Sequence, residues 1–163
     1  MGQLKMISVD KPHGIRAVGI LIHNGAILLM RRSHNEREYY TFPGGGVEIG
    51  ETIEEAVIRE ILEETSISVS IKRLLYHHDL IGDSDHFFYE CAYLSGDLAL
   101  GGEELEKTKQ GDIHEPLWIP LSALPKMILY PLEVRDWILE DATSGFQHEP
   151  KVLRVHPSDL RNV

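Results

Sequence analysis

Seven of the chain's 26 acidic residues, Glu48, Glu51, Glu54, Glu55, Glu60, Glu63 and Glu64, fall within residues 48–64, where the only basic residue is Arg59. If this segment is helical, Glu60, Glu63 and Glu64 are related by i, i+3 and i, i+4 steps and share one arc of about 100°. Such a face is electrostatically expensive. Like charges four apart cost about 0.2–0.5 kcal/mol per pair, and anions near a helix C-terminus meet the negative end of the macrodipole. Arg59 stands four residues from both Glu55 and Glu63 and offsets part of this repulsion, but Glu60 and Glu64 have no such neighbour on the helix. A hard divalent cation would supply the missing charge. Mg²⁺ or Mn²⁺ takes oxygen ligands, and Mg²⁺ keeps several waters while binding one or two carboxylates together with substrate phosphates. The segment therefore reads as a metal platform for phosphate chemistry rather than a solvated acidic face.

Carboxylates that bind a metal ion can also take part in chemistry at a bound phosphate, with one of them acting as proton acceptor. Arg31 and Arg32 end the second apolar run of the chain and are candidates to grip phosphate oxygens with bidentate donors. Tyr40 and Phe42, just ahead of the glycines, are candidates to stack on a flat group, with alternation assigning at least one of them to the core. His77, His78 and His86 are read as surface histidines, Cys91 as a small buried hydrophobe, and Trp118 and Trp137 as packing anchors.

The surrounding pattern supplies the elements that would hold these groups. Over residues 16–31 two apolar runs flank Asn24-Gly25, the dipeptide that best tolerates a type I′ turn, which predicts a β-hairpin. Pro43 and the glycines 44–46 predict a loop leading into the acidic segment. Thr52 and Glu55 have capping-box spacing, and Ile53, Val57 and Ile61 recur every fourth residue, so residues 52–65 are expected to be helical. Strands are expected at 67–78 and 86–94, a polar loop at 101–112 and a short strand at 117–119. A second helix is expected from Pro131, as a first helical residue, to a stop at Gly145. The tail from Phe146 is weakly specified. This mixture of hairpins and crossover helices indicates an α/β or α+β domain. With no repeat or dividing linker, residues 1–163 are expected to form one domain that buries roughly 70% of its unfolded surface.

Gly45, Glu51, Arg59-Glu60-Ile61, Glu63-Glu64 and Ile67 together resemble the box of the Nudix (MutT-like) hydrolases, over residues 45–67. Phe42-Pro43-Gly44-Gly45 before it and residues 115–119 after it are also similar to that family. One position departs: Ser66 stands where the family has the glycine that closes the helix in a left-handed turn. The resemblance implies an α/β/α sandwich with a mixed β-sheet and a loop-helix-loop metal site. It implies a metal-dependent pyrophosphohydrolase acting on a nucleoside diphosphate linked to another moiety. On that pattern Glu60 and Glu64, with Glu63 close behind and the Gly44 carbonyl as a further oxygen, hold Mg²⁺ or Mn²⁺. Arg59 orients the carboxylates and Glu51 supports them. The general base is Glu60 or an acid on a later loop, with Glu103, Glu104, Glu106 and Glu115 as candidates.

The balance of 16 basic against 26 acidic residues, a formal charge of −10, disfavours nucleic-acid polymers and anionic membranes as partners. A single cysteine forms no internal disulfide, which suits a reducing, cytoplasmic setting. No apolar stretch approaches the ~18 residues of a membrane span, and the N-terminus lacks a secretory pattern. A small nucleotide-like diphosphate is the expected partner, and a homodimer is left open. Two rival readings remain: a non-catalytic nucleotide-sensing domain, and an isomerase-like relative acting on an isoprenoid diphosphate.

Overall fold

The computed structural model describes residues 14–99 and 113–160. Segment 101–112, with Glu103, Glu104 and Glu106, lies outside the described residues. The expected hairpin forms from β1 (Ile15–His23) and β2 (Ala26–His34). Asn24 and Gly25 take φ of 51° and 75°, the pair of positive angles that a type I′ turn requires. β3 (Arg37–Thr41) pairs with β2, and β4 (Gly44–Gly46) pairs with β1. The capping box is present: Thr52 Oγ1 accepts from the Glu55 N–H at 3.1 Å and Glu55 Oε2 accepts from the Thr52 N–H at 2.8 Å. It opens α1 (Ile53–Thr65).

The antiparallel pair β5 (Ser68–Leu80) and β6 (Ser84–Ser95) follows, and β7 (His114–Pro120) lies against β2. A 3₁₀ turn over Leu121–Lys126 leads to β8 (Leu129–Tyr130) and α2 (Leu132–Asp141). Pro131 is not the first helical residue, as expected, but the extended residue before it, with φ −70° and ψ 140°. Gly145, at φ 69°, stops the segment in a left-handed turn. The tail carries β9 (Lys151–Val155), parallel to β5.

The strands connect in the order β8-β3-β2-β1-β6-β5-β9, with β4 branching from β1 and β7 from β2. β1 with β6, β3 with β8 and β5 with β9 are parallel and the other pairings antiparallel, so the sheet is mixed. Alternation along β1 divides the core. Ile15, Ala17 and Leu21 pack with Ala56, Val57 and Ile61 of α1, whereas Val18 and Ile20 pack with Val134 and Ile138 of α2. The result is the α/β/α sandwich. Helices on both faces explain why β1 and β2 read as nearly continuous apolar runs. A Cβ at Gly19 would overlap Ile61, so glycine is what lets α1 lie this close to β1.

Trp118 and Trp137 pack against opposite faces, as expected of anchors. Cys91 is buried, and burial pushes its thiol up to about 12, which leaves it a poor nucleophile. Among the described residues no helix is long and apolar enough to cross a membrane.

The doubtful position of the box resolves in favour of the turn. Ser66 takes the left-handed conformation, φ 65° and ψ 17°, and its N–H donates to the Leu62 carbonyl at 2.9 Å. A side chain here carries a strain of about 1–2 kcal/mol that glycine avoids, partly offset by glycine's greater freedom when unfolded. Ser66→Gly is expected to stabilise the fold by about 0.5–1 kcal/mol, raising Tm by roughly 1–4 °C in calorimetry.

Candidate active site

Where β4 leaves β1, an open cleft of about 590 Å³ lies between the C-terminal half of α1 and the ends of β1, β2 and β3. Its acidic wall is Glu60 and Glu64, one helical turn apart, with Gly44, Gly45 and Gly46 beside them. Two of the glycines make close contacts. A Cβ at Gly45 would collide with the Glu60 carboxylate, and one at Gly44 with the backbone of Ala17. The Gly44 N–H donates to Glu64 Oε2 at 3.1 Å, tying a carboxylate only 6% exposed to the loop.

Arg59 organises the remaining carboxylates. Its Nε and Nη2 donate to the two oxygens of Glu51 at 3.1 and 2.6 Å, a bidentate pair. Nη1 donates to Glu60 Oε1 at 2.8 Å and to Glu63 Oε2 at 3.2 Å, and Nη2 also to the Gly46 carbonyl at 3.0 Å. The bonds from Arg59 hold the Glu51 carboxyl below its usual range, and the Glu51 carboxylate in turn raises the Arg59 guanidinium above its usual value. Glu51 also accepts from the Glu48 N–H at 2.7 Å, which anchors the loop before the helix. Glu63, 59% exposed at its side chain, turns to Arg59 and does not line the cleft.

The same cleft is also lined by cations, Arg16 and Arg32. Arg32 donates through Nε to Thr41 Oγ1 at 2.9 Å and lies 2.7 Å from His114 Nδ1 through Nη1, so its guanidinium is held in place. Arg16, exposed on β1, lies next to His86 in the parallel register with β6. Sequence reasoning missed Arg16 and His86. The strand parity that puts Arg16 on the same face as Val18 was a usable signal, but the pairing of β1 with β6 was not visible. His86, expected on the surface, is largely desolvated in the cleft. Burial and then the Arg16 charge push its imidazole down to about 4.

Three other expectations change. Alternation along β2 turns Arg31 away from Arg32, and its Nε lies 3.4 Å from Glu115 across the β2–β7 pair, so neither Arg31 nor Glu115 lines the cleft. Tyr40 packs on the α2-side core, and Tyr39 with Tyr130 takes its place on the wall, their rings 5.9 Å apart. Phe42 does line the cleft but is 6% exposed and edge-on to Phe88 at 5.6 Å.

Among the described residues no three His, Cys, Asp or Glu side chains converge as a cage. Two carboxylates plus a backbone oxygen nonetheless fit a hard cation that fills its remaining positions with water and phosphate. The absence of space for a Cβ at Gly45 indicates a loop pressed closely onto that oxygen cluster.

A family model for the NUDIX domain matches residues 14–138. The chain belongs to the NUDIX domain family. An ADP-ribose pyrophosphatase of Methanocaldococcus jannaschii is 48% identical over 58 residues, 35% of this chain and 34% of that protein. Nudix hydrolase 18, mitochondrial, of Arabidopsis thaliana is 28% identical over 118 residues, 72% of this chain and 62% of that protein. The solved MutT NUDIX hydrolase of Burkholderia pseudomallei matches with a TM-score of 0.60 and 26% identity, covering 77% of this chain and 96% of that one. This Nudix chain thus spans 34% of the Methanocaldococcus protein and 62% of the Arabidopsis protein, under two thirds of either.

Because His86 is held neutral, protonation at lower pH favours the unfolded chain, whose imidazole titrates near 6.5. Its contribution is complete above pH 6.5 and falls away as pH drops towards 4. NMR titration of the His86 ring is expected to give a midpoint near 4, and His86→Gln to flatten the loss of stability across that window.

Proposed function

We propose that this chain is a metal-dependent pyrophosphohydrolase that cleaves a phosphoanhydride bond in a nucleoside diphosphate linked to a second group. The observation that carries this reading is one cleft lined both by Glu60 and Glu64 and by Arg16 and Arg32. A diphosphate alone would be repelled by the carboxylates, and a metal alone has no need of the arginines. The two together suit a metal–diphosphate complex. The relatives named ADP-ribose pyrophosphatase and Nudix hydrolase support the same class.

Glu60, Glu64 and the Gly44 carbonyl would hold Mg²⁺ or Mn²⁺. Such an ion, when bound, acidifies a coordinated water and neutralises charge gathering on the phosphate oxygens. Arg32, already fixed by Thr41 and His114, presents its donors to one phosphate, and Arg16 meets the other. Arg59 and Glu51 act through Glu60: the bidentate pair fixes the guanidinium, and Nη1 fixes the carboxylate. The proton of the attacking water passes to a carboxylate oxygen, either that of Glu60 or that of an acid in segment 101–112. Glu115, ion-paired with Arg31 outside the cleft, is the weakest of the candidate bases.

The test is turnover of nucleoside triphosphates, sugar nucleotides, ADP-ribose and dinucleoside polyphosphates with Mg²⁺ or Mn²⁺. Glu60→Gln and Glu64→Gln are each expected to lower kcat by about 10²–10⁴-fold, the range for a lost proton acceptor or metal ligand, with Tm nearly unchanged. Nucleotide binding without hydrolysis, unaffected by either substitution, would overturn the proposal and favour a sensing domain.

A further inference from the structure

Next to the cleft, and sharing His86, Tyr130 and Pro131 with it, is a smaller cavity of about 150 Å³ closed by His78, Leu80, Glu133 and Leu160. Two of its side chains carry unsatisfied polar atoms. His78 is 1% exposed, and neither Nδ1 nor Nε2 has a hydrogen-bond partner. Oε2 of Glu133, the second residue of α2, is likewise buried without one. Buried polar groups are almost always paired because leaving one unpaired costs stability, so two in one small cavity point to a partner that arrives from outside.

The partner's chemistry follows from the lining. Burial keeps the His78 ring neutral, so it offers one N–H donor and one nitrogen acceptor, whereas the Glu133 carboxylate only accepts. The occupant must donate to Glu133 and present an acceptor, or an acceptor and a donor, to His78. Leu80 and Leu160 provide apolar walls, and Tyr130 an aromatic one. A volume of roughly 150 Å³ is about what one benzene ring occupies in a protein cavity, so the pocket suits a single six-membered ring better than a fused purine. Cytosine and uracil meet all of these conditions. Each has an N–H able to donate to a carboxylate and ring or carbonyl acceptors beside it.

We infer that this side pocket is the base subsite of the hydrolase and takes a pyrimidine, with His78 and Glu133 reading the hydrogen-bonding edge of the ring. The inference rests on the function proposed above, since the shared wall of His86 and Tyr130 is what connects the base to a diphosphate in the cleft.

The experiment compares kcat/KM for CTP, UTP, ATP and GTP with Mg²⁺ in the unaltered protein, His78→Phe and Glu133→Gln. The unaltered protein is expected to prefer a pyrimidine by tenfold or more. Each substitution is expected to reduce that preference at least tenfold, chiefly through KM. His78→Phe is also expected to melt no lower than the parent, because it removes two unpaired nitrogens; a purely structural histidine would give a lower Tm. Preference for purines, or a preference that neither substitution moves, overturns the subsite and leaves the hydrolase reading intact. If none of the four is hydrolysed, the hydrolase reading is decided by the wider panel above, and calorimetry of CMP and UMP against AMP decides the pocket alone. Tighter pyrimidine binding that Glu133→Gln weakens supports it, and equal binding ends it.

Discussion

Everything at the site depends on keeping two carboxylates, Glu60 and Glu64, side by side near the wrong end of a helix. Burial of Glu64 and near-burial of Glu60 raise the cost of their charge, and the helix dipole adds to it. The protein offsets this from two directions. Backbone polarity comes from the glycine loop, through the Gly44 N–H on Glu64, and formal charge comes from Arg59 on Glu60. Neither is enough alone, because Arg59 already serves Glu51 and Glu63 as well. The pattern of glycine, arginine and spaced glutamates is thus one electrostatic solution, and the loop must have no Cβ at positions 44 and 45 for it to close.

The same constraint explains why β4 is a strand at all. Three glycines have weak strand propensity, yet Gly44, Gly45 and Gly46 pair with Val18, Ala17 and Arg16. Pairing with β1 holds the loop rigidly at the distance the carboxylates need, and Gly19 on β1 lets Ile61 anchor the helix below. Core packing on the α1 face and the position of the acidic wall are therefore set by the same contacts.

Legibility in the sequence followed how local the cause was. The Asn24-Gly25 hairpin, the Thr52 capping box and the box helix each depend on residues a few positions apart, and all three were readable. Glu60, Glu63 and Glu64 were readable as one helical face, although Glu63 turns to Arg59 and away from the cleft, while Gly44, Arg59 and Glu51 joined the group only through the Nudix resemblance. What escaped notice depends on pairing between distant segments. Arg16 joins His86 only through the β1–β6 register, and Tyr130 reaches Tyr39 only because two-residue β8 pairs with β3. β9 leaves alternate residues exposed and has no local signature, so its strand character comes from β5. Arg31 and Tyr40 were misplaced by one residue of alternation, which is enough to move a side chain to the other face.

The cleft and the side pocket draw on different sets of contacts. Glu60 and Glu64 stand on α1 beside β4, while the side pocket is lined from β5, β6, β8, the start of α2 and Leu160. That second group is rigid for reasons unrelated to the box. Arg135 Nη1 donates to the Met127 carbonyl at 2.9 Å near the start of α2, and at its end Asp141 accepts from Tyr76 and Lys151, each at 2.7 Å. Burial alone would raise the Asp141 carboxyl, but these bonds outweigh it and hold it below the usual range. Tyr76 belongs to β5 and Lys151 to β9, so the pair fastens α2 to the strand that carries His78. Glu133 and His78 are thereby fixed relative to each other by a network that touches neither Glu60 nor Glu64. A substitution in that network or pocket can therefore reshape the pocket while the acidic wall of Glu60 and Glu64 keeps its geometry, because the two sets of residues are held by different contacts.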